Sequence, residues 1–265
     1  RAWHDLGADR VILARELSLS EIAEIRAKTP KDLELEAFAH GAMCVSYSGR
    51  CLLSNYMTGR DANRGACAQP CRYQYALMEE KRPGEYFPVY RDMCMIDHIP
   101  DLLAAGVDSL KIEGRAKSAY YAAIVTGAYR HGIDAALAGV PLDPVWRDEV
   151  DKVSHRHYST GFFYGQPGQF TQDARYIRDW QVLAVVQSCT PQGLATASLR
   201  NKFAQGDPIE LVGPGLRPVA FQAPLMADAG GEALPELRHP QMTFQIQLPC
   251  YAPPLSFLRA CRENS

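Results

Sequence analysis

Five of the eight cysteines, Cys44, Cys51, Cys67, Cys71 and Cys94, fall within one stretch of the chain. Their gaps are C-x6-C, C-x15-C, C-x3-C and C-x22-C. A thiolate is a soft ligand, and four of them gathered in space suit zinc or an iron–sulfur cluster. The gaps fit neither the paired CxxC of a zinc ribbon nor the runs of ferredoxins. Spacing alone therefore predicts a metal or redox site and leaves its type open. The plain alternative is that these are small buried packing residues. Gly41, Gly49, Gly59 and Gly65 interleave with the cysteines. That composition suits a loop shaped by a bound group more than by its own packing.

Other reactive side chains sit close by in sequence. Glu36 and His40 flank the start of the cysteine stretch, and His40 is a candidate acid–base group or ligand. The segment VDSLKIEGR carries Lys111, Glu113 and Arg115. Glu113 and Arg115 would share one face of an extended segment, placed to bind an anion or handle a proton. Between Cys44 and Arg82, the cations Arg50, Arg60, Arg64, Arg72, Lys81 and Arg82 are opposed by Asp61, Glu79 and Glu80. A locally basic face beside a cysteine site suits phosphate, although the net charge of −2 gives the whole chain no push toward nucleic acid.

The elements that position these groups can be read in order. Arg10–Ala14 is a short apolar run that fits a buried strand. Ser18 and Glu21 have capping-box spacing, and Leu19, Ile22 and Ile25 recur at helical intervals. Asp32–Ala39 alternates polar and apolar residues, as a strand does. Strand, helix, strand with short links is the grammar of a parallel βα array. The cysteine stretch follows directly, where such folds place their sites. Phe87–Tyr90 is a third candidate strand. Asp97–Ala105 predicts a helix capped by Asp97, with Pro100 in its first turn. VDSLKIEGR predicts another strand. A long alanine-rich helix starts at Ser118, with Tyr120, Tyr121 and Tyr129 as packing residues, and a further helix is expected over Val145–His155.

The texture changes near Thr160. From Ile177 onward, short alternating runs are separated by Gly and Pro, the pattern of a small antiparallel barrel or sandwich. Two domains are expected, at 1–165 and 166–265. Cys189, Cys250 and Cys261 lie in the second without motif spacing. No stretch approaches the roughly 20 apolar residues of a membrane span. With no secretory signal visible, the cysteines are expected to be thiols or ligands in a cytoplasmic protein. The chain begins at Arg1 inside an expected helix, as a piece lacking an N-terminal part would.

The run from Glu36 through Phe38, Gly41, Ala42, Met43 and Cys44 to Tyr47-Ser48-Gly49-Arg50-Cys51-Leu52-Leu53-Ser54 resembles the signature of the collagenase-like peptidase family, family U32. RGACAQPCRY, RDMCMID, SLKIEGRAKSAYY and the all-β tail are similar to the same family. The resemblance implies a (β/α) TIM-like barrel, of which about half is present here, followed by a small β domain. It implies iron–sulfur over zinc, with a 4Fe-4S cluster on Cys44, Cys51 and Cys67. The fourth ligand is expected to be Cys94, in a DMC element where the family carries DLC, with Cys71 as the alternate. It implies RNA hydroxylation, here 5-hydroxyuridine at the wobble position of tRNA, with prephenate as co-substrate. On that expectation Arg115 and Lys111 hold a carboxylate, Glu113 or His40 moves protons, and the basic loop takes tRNA phosphates while Tyr47, Tyr56, Tyr73 or Tyr75 stacks a base. The electron donor stays open. The alternatives are a peptidase, as the family name states, and a structural zinc module. Neither HExxH nor the GxSxG elbow is present to support a peptidase.

Overall fold

Ser18 opens the first long helix by a reciprocal bond with Glu21. The Glu21 amide donates to the Ser18 hydroxyl at 3.3 Å, and the Ser18 amide donates to the Glu21 carboxylate at 2.8 Å. Two amides that a helix start leaves open are thereby satisfied. A short helix α1 (Ala2–Asp5) and strand β1 (Arg10–Ile12) precede it. The helix itself, α2 (Leu19–Lys28), leads to β2 (Glu34–Gly41), which runs parallel to β1. The computed structural model describes residues 1–75, 85–86, 91–168 and 175–262.

β2 is the centre of the first sheet. Glu36 faces Ile12 of β1 on one edge and Ser109 of β6 (Ser109–Ile112) on the other, both in parallel register. Leu35, Ala37 and Ala39 alternate into the core, as the period of two predicts. The expected parallel array therefore holds for β1, β2 and β6. It fails at β5 (Asp92–Cys94), which returns antiparallel against the end of β2 with His40 opposite Cys94. An antiparallel return needs no long crossover. Among the described residues between β2 and β5 stand only the six-residue helix α3 (Leu53–Thr58), single turns and the hairpin of β3 (Gln74–Tyr75) with β4 (Glu85–Tyr86). β7 (Tyr158–Ser159) pairs parallel with β5. The strand expected at Phe87–Tyr90 lies outside the described residues.

Asp97 does not cap a helix. Its carboxylate accepts from Arg147 Nε at 2.8 Å, and a single turn over Ile96–His98 leads into α4 (Ile99–Ala104), with Pro100 in the first turn. The alanine-rich helix forms as α5 (Ala119–Leu137). The helix expected over Val145–His155 is shorter. It appears as α6 (Pro144–Glu149) and a turn over Val150–Lys152.

The chain divides into two compact units, one of residues 1–118, 128–147 and 155–177, the other of residues 119–127, 148–154 and 178–265. The first is mixed α/β. The second is β-rich, built on an antiparallel sheet of eight strands. These are β8 (Trp180–Cys189), β9 (Leu194–Leu199), β11 (Pro208–Gly213), β12 (Leu216–Gln222), β13 (Met226–Ala227), β14 (Ala233–Leu234), β16 (Thr243–Gln247) and β17 (Phe257–Cys261). The order is β12-β11-β17-β8-β9-β16-β13-β14, and among the described residues no ladder joins β12 to β14. A separate pair, β10 (Phe203–Ala204) with β15 (Glu236–Leu237), lies antiparallel. Leu183, Leu211, Phe244, Ile246 and Leu258 form the core.

That second core also buries a charge. Arg259 has no exposed surface and forks onto Glu149 at 2.6 and 2.5 Å, with further bonds to Glu210 at 2.7 Å and the Tyr120 hydroxyl at 3.0 Å. Lys152 reaches Glu210 at 3.0 Å and Glu149 at 3.3 Å. A buried cation is tolerated when paired and hydrogen-bonded in this way. Burial pushes the Glu210 carboxyl up, but its bonds to Arg259 and Lys152 outweigh this and hold it below the usual glutamate value. No helix among the described residues is long and apolar enough to cross a membrane.

Candidate functional site

The site starts where β2 ends. Gly41 sits at φ +118°, and a Cβ there would meet the Glu113 carbonyl oxygen at 2.3 Å. The Glu113 amide donates to the His40 carbonyl at 2.8 Å. Only glycine allows the ends of β2 and β6 to close this tightly with that backbone. The chain then winds through the cysteine loop. α3 stops at Gly59 in the left-handed region, and the Asp61 carboxylate caps the next turn through the Asn63 amide at 3.2 Å. The buried Ser54 hydroxyl accepts from the Ala68 amide at 3.0 Å and pins the far side of the loop.

This winding brings Cys44, Cys51, Cys67 and Cys71 onto one cavity of about 450 Å³. The thiols are near enough that Cys44, Cys51 and Cys67 each act on the Cys71 thiol, which burial pushes up and Arg72 pulls down. Gln69 adopts the left-handed conformation at φ +56° and aims its amide at Cys67 Sγ, 3.3 Å away. An amide donor to sulfur stabilises negative charge there. No three His, Cys, Asp or Glu side chains among the described residues are grouped to hold a single metal ion.

Cys94 is not with them. It is buried in β5, 4.0 Å from the Tyr129 hydroxyl, and does not line the cavity. Burial pushes its thiol up to about 11. Of the two cysteines weighed as a fourth ligand, the structure gathers Cys71 with the other three and leaves Cys94 in the sheet. The physical reason is the antiparallel return of β5, whose pairing with His40 fixes Cys94 inside the core.

His40 is likewise a core residue. It is 1% exposed, its Nδ1 lies 3.3 Å from the Tyr129 hydroxyl, and its ring packs against Tyr129 and Tyr158. Burial lowers its pKa to about 3. The proton-handling role expected of His40 is thus corrected: a neutral ring sealed from the cavity cannot meet a substrate there. Lys111 also departs from its expected role. Its ammonium lies over the Phe38 ring at 5.0 Å and does not line the cavity.

Glu113 and Arg115 do reach the cavity, joined by Arg15, Arg72 and Lys117. Glu113 Oε1 accepts from the Arg115 amide at 3.0 Å, which orients the carboxylate. The Arg115 guanidinium makes no hydrogen bond or ion pair among the described residues and lies against Gly65. Arg72 donates to the Met43 carbonyl at 2.7 Å, while its Nη1 is buried without a hydrogen-bond partner. Arg15 donates to the Ala42 carbonyl at 3.1 Å, and Lys117 lies over the Tyr176 ring at 4.0 Å. Sequence reasoning missed Arg15 and Lys117 as site residues. Arg15 is separated from the cysteines by a helix and a strand, and only the parallel β1–β2 pairing brings it back.

Four thiols, four cations and one oriented carboxylate thus line one cavity. The sequence matches Peptidase family U32 over residues 1–198 and the Peptidase family U32 C-terminal domain over residues 178–259. The chain belongs to peptidase family U32. It is 39% identical over 265 residues to tRNA hydroxylation protein P1 of Bacillus subtilis, covering 93% of this chain and 62% of that protein. It is 36% identical over 287 residues to tRNA hydroxylation protein P of Escherichia coli, covering 88% of this chain and 63% of that protein. It is 40% identical over 137 residues to the 23S rRNA 5-hydroxycytidine synthase of Escherichia coli, covering 50% of this chain and 21% of that protein. The chain therefore spans less than two thirds of the length of these relatives.

Proposed function

We propose that this chain carries the cofactor-binding part of an iron–sulfur-dependent RNA hydroxylase that forms 5-hydroxyuridine at the wobble position of tRNA, with prephenate as co-substrate, in the cytoplasm. The convergence of Cys44, Cys51, Cys67 and Cys71 on one cavity carries the reading. The names of the relatives supply the reaction class. The mixed α/β unit is read as part of a (β/α) barrel, and the β-rich unit as the family's small C-terminal barrel.

The donor set fits the group. Thiolates are soft ligands, and Cys67 already receives an amide hydrogen bond of the kind that tunes cluster sulfurs. Cys44, Cys51, Cys67 and Cys71 would hold a 4Fe-4S cluster, whose chemistry when bound would be electron transfer. The remaining steps belong to side chains of the chain. Arg115, with its guanidinium uncommitted, takes one carboxylate of a dicarboxylate co-substrate as a planar fork. Arg15, Arg72 and Lys117 offset the rest of its charge. Glu113, oriented by the Arg115 amide, is the carboxylate at the cavity placed to take a proton from a bound substrate.

The peptidase and zinc readings fare less well on the same geometry. The histidine weighed as base for a cysteine nucleophile, His40, is buried and does not line the cavity. A structural zinc needs donors grouped on one ion. The test is nucleoside mass spectrometry of tRNA from cells whose only copy of the full-length protein carries Cys71→Ala. Loss of 5-hydroxyuridine is expected; an unchanged level would overturn the proposal.

A further inference from the structure

Residues 42–52 form neither helix nor strand, so their backbone polar groups need partners from elsewhere. Charged side chains supply them. Arg15 donates to the Ala42 carbonyl at 3.1 Å and Arg72 to the Met43 carbonyl at 2.7 Å, which fixes the chain just before Cys44. Beyond Cys44 the chain turns. The Arg50 amide donates to the Tyr47 carbonyl at 3.1 Å, with Gly49 at φ +72° in the third position, where a left-handed residue suits a tight turn. Such a turn leaves the amide of its second residue, Ser48, open. That amide and the Ser48 hydroxyl both donate to Glu16 Oε1, at 2.8 and 2.9 Å. Glu16 lies in the link between β1 and α2, 32 residues away in sequence. Its Oε2 is buried and makes no hydrogen bond among the described residues, so the hydrogen bonds of this carboxylate all go to Ser48. Glu16 does not line the cavity, whereas Cys44, Ser48, Gly49 and Cys51 all do.

We infer that Glu16 is a positioning residue of the thiol site: by holding Ser48 in the middle of the C-x6-C gap, it fixes where the Cys44 and Cys51 thiols stand relative to one another. A gap of irregular backbone has no ladder of its own to hold its shape. Without an outside acceptor the turn at 47–50 is free to open, and the two thiols no longer keep a common spacing. A carboxylate oxygen that takes two bonds is suited to the task, because hydrogen bonds to an ionised acceptor are the strong kind. Side chains that orient metal ligands without touching the metal change its affinity by about 10–100-fold when they are lost. The inference rests on the cluster reading of the cavity. It adds a residue that the spacing of the cysteines does not point to.

The test uses the full-length protein, purified without oxygen, as wild type and as Glu16→Ala, Glu16→Gln and Ser48→Ala. One readout is the concentration of the iron chelator bathophenanthroline that halves the visible absorbance. The other is the electron paramagnetic resonance spectrum of the dithionite-reduced protein, and a melting curve reports the fold separately. Glu16→Ala is expected to lose its absorbance at about 10–100-fold less chelator than the wild type, with a shifted or broadened resonance. Ser48→Ala keeps the amide bond and should move the same way by less. Glu16→Gln should match the wild type, because its amide oxygen accepts both bonds and Oε2 has none to lose. If Glu16→Ala does not fold, the shift in Ser48→Ala decides. Wild-type chelator resistance and resonance in Glu16→Ala and Ser48→Ala would overturn the positioning role and leave the cluster reading standing, as would a Glu16→Gln protein as weak as Glu16→Ala. A wild type without iron or sulfide would overturn both.

Discussion

The Arg115 guanidinium reaches Gly65 with its Nη1 end, where a Cβ on the glycine would stand 1.6 Å from Nη1. Gly65 is also held at φ +76°. The glycine thus both makes the turn before Cys67 and leaves room for the cation. Gly65→Ala should push the guanidinium out of its place and add about 1 kcal/mol of backbone strain. The expected result is a KM for the anionic co-substrate raised about tenfold with iron content preserved. Arg115→Ala should do the same, and Arg115→Lys should recover only part, because an ammonium lacks the planar fork. Steady-state kinetics beside iron analysis checks all three.

Gly41 makes a different demand. The obstacle there is the Glu113 backbone carbonyl, 2.3 Å from where a Cβ would sit, so no side-chain movement relieves it. Gly41→Ala is expected to part β2 from β6 and destabilise the first unit by about 2–4 kcal/mol. Urea unfolding followed by circular dichroism measures this. A change below about 0.5 kcal/mol would mean that the two strand ends are not locked together.

The expectation of strand, helix and strand from Arg10 to Ala39 rested on local signals, and the three elements form, but β1 is not the buried strand expected of its apolar run: Ile12 is 50% exposed. The Ser18–Glu21 box and the alternation through Leu35, Ala37 and Ala39 act over a few residues, so sequence carries them. Other features depend on partners far away in the chain. Arg259 is a charged residue in a short strand, and nothing adjacent to it in sequence pairs with its charge. It is buried because Glu149 and Glu210, 110 and 49 residues away, converge on it. Cys94 has the same history, since its burial follows from the direction of β5, which no spacing encodes. Cys71 and Cys94 could not be ranked from gaps alone, because a loop of irregular backbone has no period.

Removing one member of the buried network should be costly. Glu149→Ala leaves Arg259 inside the β-rich unit with its fork broken, and is expected to destabilise it by about 3–5 kcal/mol. Arg259 and Glu149 replaced together by Met and Leu should cost much less, since no charge is then stranded. Chemical unfolding of the single and double variants measures the difference.

The same network sets an acid limit. Glu210 has a folded-state pKa held below its ordinary value of 4.5. Its contribution is fully present above the unfolded value and is lost as pH falls through the lowered one. Melting temperature should therefore be flat with respect to this group above pH 5 and fall below about pH 4.5. Glu210→Gln should remove that part of the acid slope.

The central claim is that four thiols of one loop, and not the thiol of the neighbouring strand, hold the cofactor. The most direct measurement is iron and sulfide analysis, with the visible spectrum, of full-length Cys71→Ala and Cys94→Ala proteins purified without oxygen. Cys71→Ala should lose the broad brown absorbance and most of its iron, while Cys94→Ala keeps about four irons per chain. A Cys94→Ala protein without iron beside a Cys71→Ala protein that retains it would contradict the account.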